Sequence, residues 1–123
     1  MDDHVDIETT LVVFPETFHN FEEYLGFVDI CQAFIRQQGY EGIYQLASFH
    51  PDYCFADAAV HDPANYTNRS PYPLIHIIRE ESLERVLEIY EDPESIPEKN
   101  IILAREQGTE ILHKLLLNCF VVK

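Results

Sequence analysis

Positive charge is the scarcest ingredient of this chain. Eight Lys and Arg face 22 Asp and Glu over 123 residues, a formal net charge of −14. Phosphate backbones are bound by basic faces, so nucleic acid is excluded as a partner, and anionic membrane surfaces fall on the same ground. Cys31, Cys54 and Cys119 are few, odd in number and without CxxC or CxxH spacing. They suggest neither a disulfide framework nor a zinc knuckle. No run approaches the roughly 18 apolar residues of a membrane span. The acidic start MDDHVDIETT lacks the apolar core of a secretory signal. A cytoplasmic location is therefore expected. No nucleotide cofactor motif occurs.

The charge deficit is uneven. No Lys or Arg precedes Arg36, whereas Asp2, Asp3, Asp6, Glu8, Glu16, Glu22, Glu23 and Asp29 do. A solvated acidic face is the simpler reading. A docking surface for a basic protein partner is the sharper one.

What the chain does have is apolar content of 46%, enough for one domain, residues 1–123, with one core. Thr9–Phe14 is β-branched and apolar, stopped by Pro15, and reads as a buried strand. Asn20 to Gln38 reads as a helix. Asn20 caps it with Glu23 three residues on, Tyr24, Val28, Cys31 and Ile35 form its stripe, and Gly39 ends it. Ile43–Phe49 is a second strand. The strand–helix–strand order favours a parallel pair with a right-handed crossover. Leu74–Arg79 is a third strand, with Leu74, His76 and Ile78 on one face. Ser82 is expected to cap a short helix reaching Tyr90. Pro97 to Asn118 reads as a last helix that Gly108 weakens by about 1 kcal/mol, and Cys119–Val122 as an edge strand. The expected class is α/β, an α+β sandwich ordered β-α-β-loop-β-α-α. Its sheet has three or four strands with helices on one face, ferredoxin-like if the last strand pairs.

Between the second and third strands, Phe49 to Pro73 shows no period. Loops longer than about 12–15 residues are uncommon in compact domains and tend to be functional or disordered. This one is too aromatic and too little charged for a disordered linker. His50 and Asp52, with His61, supply imidazole and carboxylate for a transition metal, without the HExxH spacing that would specify one. The same residues also suit a hydrogen-bonded turn network. Arg69 lies among Asn65, Asn68, Ser70 and Tyr72. It could clamp a small anionic ligand, or pair internally with Asp52, Asp57 or Asp62. Cys54, between Tyr53 and Phe55, reads as a packed thiol. The candidate site is thus His50, Asp52, Asn68, Arg69 and His76. Here His50 or His76 would be the acid/base of any catalysis, and Asp52, Asn68 and Arg69 the ligand-binding groups. Whether the chain is an enzyme stays open. The competing reading is a non-enzymatic protein-interaction module with this segment as scaffold.

The run ASFHPDYCFA followed by NYTNRSPYPLIHIIRE, with ETTLVVFP upstream, resembles a bacterial family of unknown function, domain-of-unknown-function family 1415. The likeness runs from about Glu8 to Leu87. It places His50, Asp52, Asn68, Arg69, His76 and Arg79 in or beside the family signature. The family carries no assigned activity, so the resemblance implies none. Its members carry, ahead of this region, a Cys-Pro-Phe-Ala motif and a further strand that this chain lacks. A truncated or diverged member is implied, along with a sheet edge left exposed to self-association into a homo-oligomer.

Overall fold

The architecture is that of a computed structural model and describes residues 1–120. It is built from β1 (Thr9–Val13), α1 (Phe21–Gln37), β2 (Tyr44–Phe49), β3 (Leu74–Arg79), α2 (Glu80–Leu87), α3 (Ile96–Gln107) and α4 (Thr109–Asn118). Short 3-10 helices occupy Pro63–Asn68 and Pro93–Ser95. The class is mixed α/β, as expected from the order of patterns.

The strand pairing corrects the expectation. The sheet order is β1-β3-β2, and β3 pairs antiparallel with both neighbours. β1 and β2 run in the same direction but do not touch as a pair. The unit is a split βαβ, as in one half of the ferredoxin-like arrangement. The reason lies in the strands themselves. Leu74-Ile75-His76-Ile77-Ile78 is apolar on both faces and takes the centre. β1 and β2 remain edges.

Helix α1 follows its sequence signals closely. The Asn20 side chain accepts a hydrogen bond from the Glu23 N–H at 3.1 Å. Gly39, at φ 78°, ends the helix. Its N–H donates to Arg36 O at 3.1 Å and the Tyr40 N–H to Ile35 O at 2.9 Å. That pair of bonds is the Schellman closure, and it needs a left-handed residue at the glycine position.

Three other expectations change. Ser82 does not cap α2, which starts at Glu80 behind Arg79, and Ser82 is buried inside the helix. The single C-terminal helix is two, because Gly108 at φ 85°, ψ 158° leaves helical space altogether. Cys119 and Phe120 form a turn, and the rest of the expected edge strand, Val121-Val122, lies outside the described residues. α1 faces the side bearing Val12, Ile75, Ile77 and Leu46, whereas α3 and α4 pack on the Pro63–Asn68 helix.

The core is thin. Among the described residues, Tyr24, Ala64, Ile75 and Ala104 are the buried hydrophobic ones. β1, expected to be buried, exposes Leu11, Val12 and Val13. The accessible surface is 8801 Å², where a chain of 14.4 kDa should show roughly 6,800 Å². About 2,000 Å² more surface is open than the size law allows.

Candidate functional site

The segment from His50 to Pro73 is folded by its own polar groups. His50 is fully buried. Its Nδ1 accepts from the Asp52 N–H at 2.9 Å, and its Nε2 lies 2.8 Å from Phe18 O. An acceptor at Nδ1 fixes the neutral tautomer with its proton on Nε2, donating to that carbonyl. Phe18 has φ 60°, a left-handed conformation that costs an L-residue roughly 1–2 kcal/mol. His50 and ring stacking on Phe27, with centroids 4.6 Å apart, hold it there.

Asn65, also fully buried, does the same work deeper in the segment. Its Oδ1 accepts from Phe55 N–H at 3.0 Å, and its Nδ2 donates to Ala59 O at 2.8 Å and Val60 O at 3.2 Å. Asn68 Nδ2 donates to Ser48 O at 2.9 Å, tying the segment to β2. Asp62 caps the 3-10 helix by accepting from Ala64 N–H at 2.9 Å, and Pro63 suits the first helical turn. The same carboxylate takes two bonds from Arg105, at 3.1 and 3.3 Å. The Arg105 guanidinium and then the Ala64 N–H hold the Asp62 carboxyl below its ordinary pKa. Among the described residues no buried side-chain N or O lacks a partner.

The candidate residues do not converge on a cavity. His50 has both ring nitrogens occupied. Asp52 lends its backbone N–H to His50, and its residue is exposed. His61 is exposed, and its carbonyl accepts from Thr109 Oγ1 at 3.0 Å. Arg69 pairs with none of Asp52, Asp57 and Asp62. Its Nε donates to Tyr53 O at 3.0 Å and its Nη2 to Val60 O at 3.2 Å. The guanidinium carbon lies 4.5 Å from the Tyr66 ring centre, a cation–π contact. His76 stands in mid-β3 between Leu11 and Ala47, on the face turned away from α1. Cys54 is a free thiol packed against Phe55 O and Ala58 O. No cluster of three His, Cys, Asp or Glu among the described residues is placed to hold a metal ion.

Tyr24 joins this network to the sheet and was seen in the sequence only as a core residue. Its hydroxyl donates to Leu74 O at 2.5 Å and accepts from Phe49 N–H at 2.9 Å. Burial pushes its pKa up to about 12.

The open site lies elsewhere. Between α1 and the sheet runs a groove of about 650 Å³. Val12, Leu46, Ile75 and Ile77 form its floor, and Phe27, Ile30, Cys31, Phe34 and Ile35 its wall. Asp2 and Asp3 close one end. Asp2 is held there by hydrogen bonds from the Tyr40 and Tyr44 hydroxyls, which keep its carboxyl below the ordinary pKa. Arg79 secures the same strap from behind, donating to Met1 O at 2.9 Å and Ile7 O at 3.0 Å. Sequence reasoning missed the groove because every residue in its floor and wall reads as core. The signal available was the width of the α1 stripe, which Phe27, Phe34 and Leu25 extend beyond what one sheet contact can bury.

The sequence profile of the family described as "Protein of unknown function (DUF1415)" matches residues 1–114. The chain belongs to that family, and the match is wider than the signature alone suggests. No curated protein and no solved structure matches the chain.

Proposed function

We propose that this member of the family is a non-enzymatic protein-interaction module whose docking surface is the groove between α1 and the sheet. The observation that supports it is the contrast in satisfaction. The His50, Asn65, Asn68 and Arg69 side chains of the His50–Pro73 segment are spent on the protein's own backbone, while the apolar side chains of the groove are left open. Ile30 is 68% exposed, Phe34 58% and Val12 40%. Contiguous apolar exposure of this kind marks interaction surfaces. The acidic N-terminal third adds charge selection around it. The chain carries no nucleic-acid or membrane surface in this reading, and no helix among the described residues is long and apolar enough to cross a membrane. Free thiols at Cys31, Cys54 and Cys119 favour the cytoplasm.

The reading is tested by affinity capture with four baits: wild type, Ile30→Ser with Phe34→Ser, Glu22→Lys with Glu23→Lys, and Arg69→Ala. A specific partner should be retained by wild type and Arg69→Ala and lost from the other two. Retention by the serine variant with loss from Arg69→Ala would reverse the assignment.

One observation favours a second reading, a small-anion site. Among the described residues Arg69 has no carboxylate partner, in a chain rich in carboxylates. Its guanidinium would hold a phosphate or carboxylate beside Asn68, with Asp52 at the rim. Titration with inorganic phosphate decides it: saturable binding lost in Arg69→Ala supports the site, and its absence removes it.

A further inference from the structure

We infer that the groove between α1 and the sheet is the seat of an amphipathic helix with a basic polar face, supplied by another protein. This rests on the interaction reading and adds the occupant.

The shape argues for a helix. The floor is a sheet face, and the wall is the flank of α1. Phe27, Ile30, Cys31, Phe34 and Ile35 recur on that flank at three- and four-residue steps. Those rows make the ridges into which a second helix packs alongside the first. A helix-in-groove partner presents anchors at the same spacing. A small-molecule pocket would enclose most of its ligand's surface and offer convergent polar groups. Here the wall residues Ile30 and Phe34 stand more than half exposed. The carboxylate at the end of the groove, Asp2, is occupied by Tyr40 and Tyr44.

The charge argues for a basic partner. Asp2 and Asp3 border the groove, and Glu23 lies one turn before Phe27 on the same flank of α1. Against them stands Arg36 in the last turn. Arg79 is turned to the backbone of Met1, His4 and Ile7. A second copy of this chain is disfavoured, because each copy carries −14 and the amphipathic α2 exposes Glu81 and Glu84.

The test is fluorescence anisotropy with labelled peptides of about 18 residues, long enough for a helix. One is an amphipathic leucine–lysine helix, one its scrambled composition and one the leucine–glutamate counterpart. The expected result is saturable binding of the amphipathic basic peptide, at least about tenfold tighter than the scrambled one. Ile30→Ser with Phe34→Ser should weaken it at least about tenfold, with the thermal melt of that variant checking the fold. Equal binding of the scrambled peptide would reduce the effect to bulk charge and overturn the inference. Equal binding of the leucine–glutamate helix, lost in the serine variant, would overturn the basic face and leave the interaction module standing. No peptide binding, with decanoate saturating the same groove, would overturn both. A dimer in sedimentation that disappears in the serine variant would put a second copy in the groove instead.

Discussion

The His50–Pro73 segment and the groove beside α1 invert each other. The first is polar, aromatic and irregular, and looks like a site, yet its His50, Asn65, Asn68 and Arg69 side chains are absorbed by internal carbonyls and amides. The second is made of Val, Ile, Leu and Phe and looks like core, yet it stands open. Polar residue types mark where hydrogen bonds will be made without saying to whom. Apolar types mark what must be covered without saying by what. Among the described residues the buried side-chain polar groups are satisfied internally, while the apolar groove is left open.

The largest effect should come from Asn65. Asn65→Ala takes the side-chain partner from Phe55 N–H, Ala59 O and Val60 O, at about 1–3 kcal/mol for each group left unsatisfied. Chemical denaturation should show a loss of about 3 kcal/mol or more. A loss under about 1 kcal/mol would mean the segment is not the scaffold described.

Tyr24→Phe comes next, at about 1–2 kcal/mol, because one hydroxyl serves both β2 and β3. It also carries a pH signature. The folded pKa is raised above the unfolded value of about 10, so the contribution is complete below pH 10. It is lost as pH rises toward about 12. The stability difference between wild type and Tyr24→Phe should narrow across that window in alkaline melts. A difference that stays constant would mean the hydroxyl is solvated.

Ile30→Ser with Phe34→Ser should be nearly silent in stability, within about 1 kcal/mol, since both side chains are mostly exposed. A large loss would show that the groove already is the core.

Smallest of all is the strap. The Asp2 carboxyl titrates below its ordinary value because Tyr40 and then Tyr44 donate to it. The strap should therefore stay docked above about pH 4 and release as pH falls through the lowered value. Tyr40 and Tyr44 ring signals in NMR should move in that acid window, and in Asp2→Asn they should not titrate.

The sequence revealed elements better than their assembly. Asn20, Glu23 and Gly39 act within a few residues of themselves, so α1 and both its caps were legible. Strand order was not. Whether β2 pairs with β1 or β3 depends on which strand can bury both faces, a competition among segments far apart in the chain. Gly108 was legible as a weakness, but its φ of 85° makes it a break. In the candidate site, His50, Asn68 and Arg69 were legible as polar side chains gathered in one irregular segment. Their partners, Phe18 O, Ser48 O, Tyr53 O and Val60 O, are backbone carbonyls that no residue type announces. The groove was illegible because openness is a property of what does not pack.

The most direct measurement is backbone amide NMR of the whole chain during titration with the basic amphipathic peptide. The account predicts shifts confined to Val12, Phe27, Ile30, Phe34 and Ile77, with His50, Asn65, Asn68 and Arg69 unmoved. Shifts gathered on His50–Arg69, with α1 and the sheet silent, would contradict it.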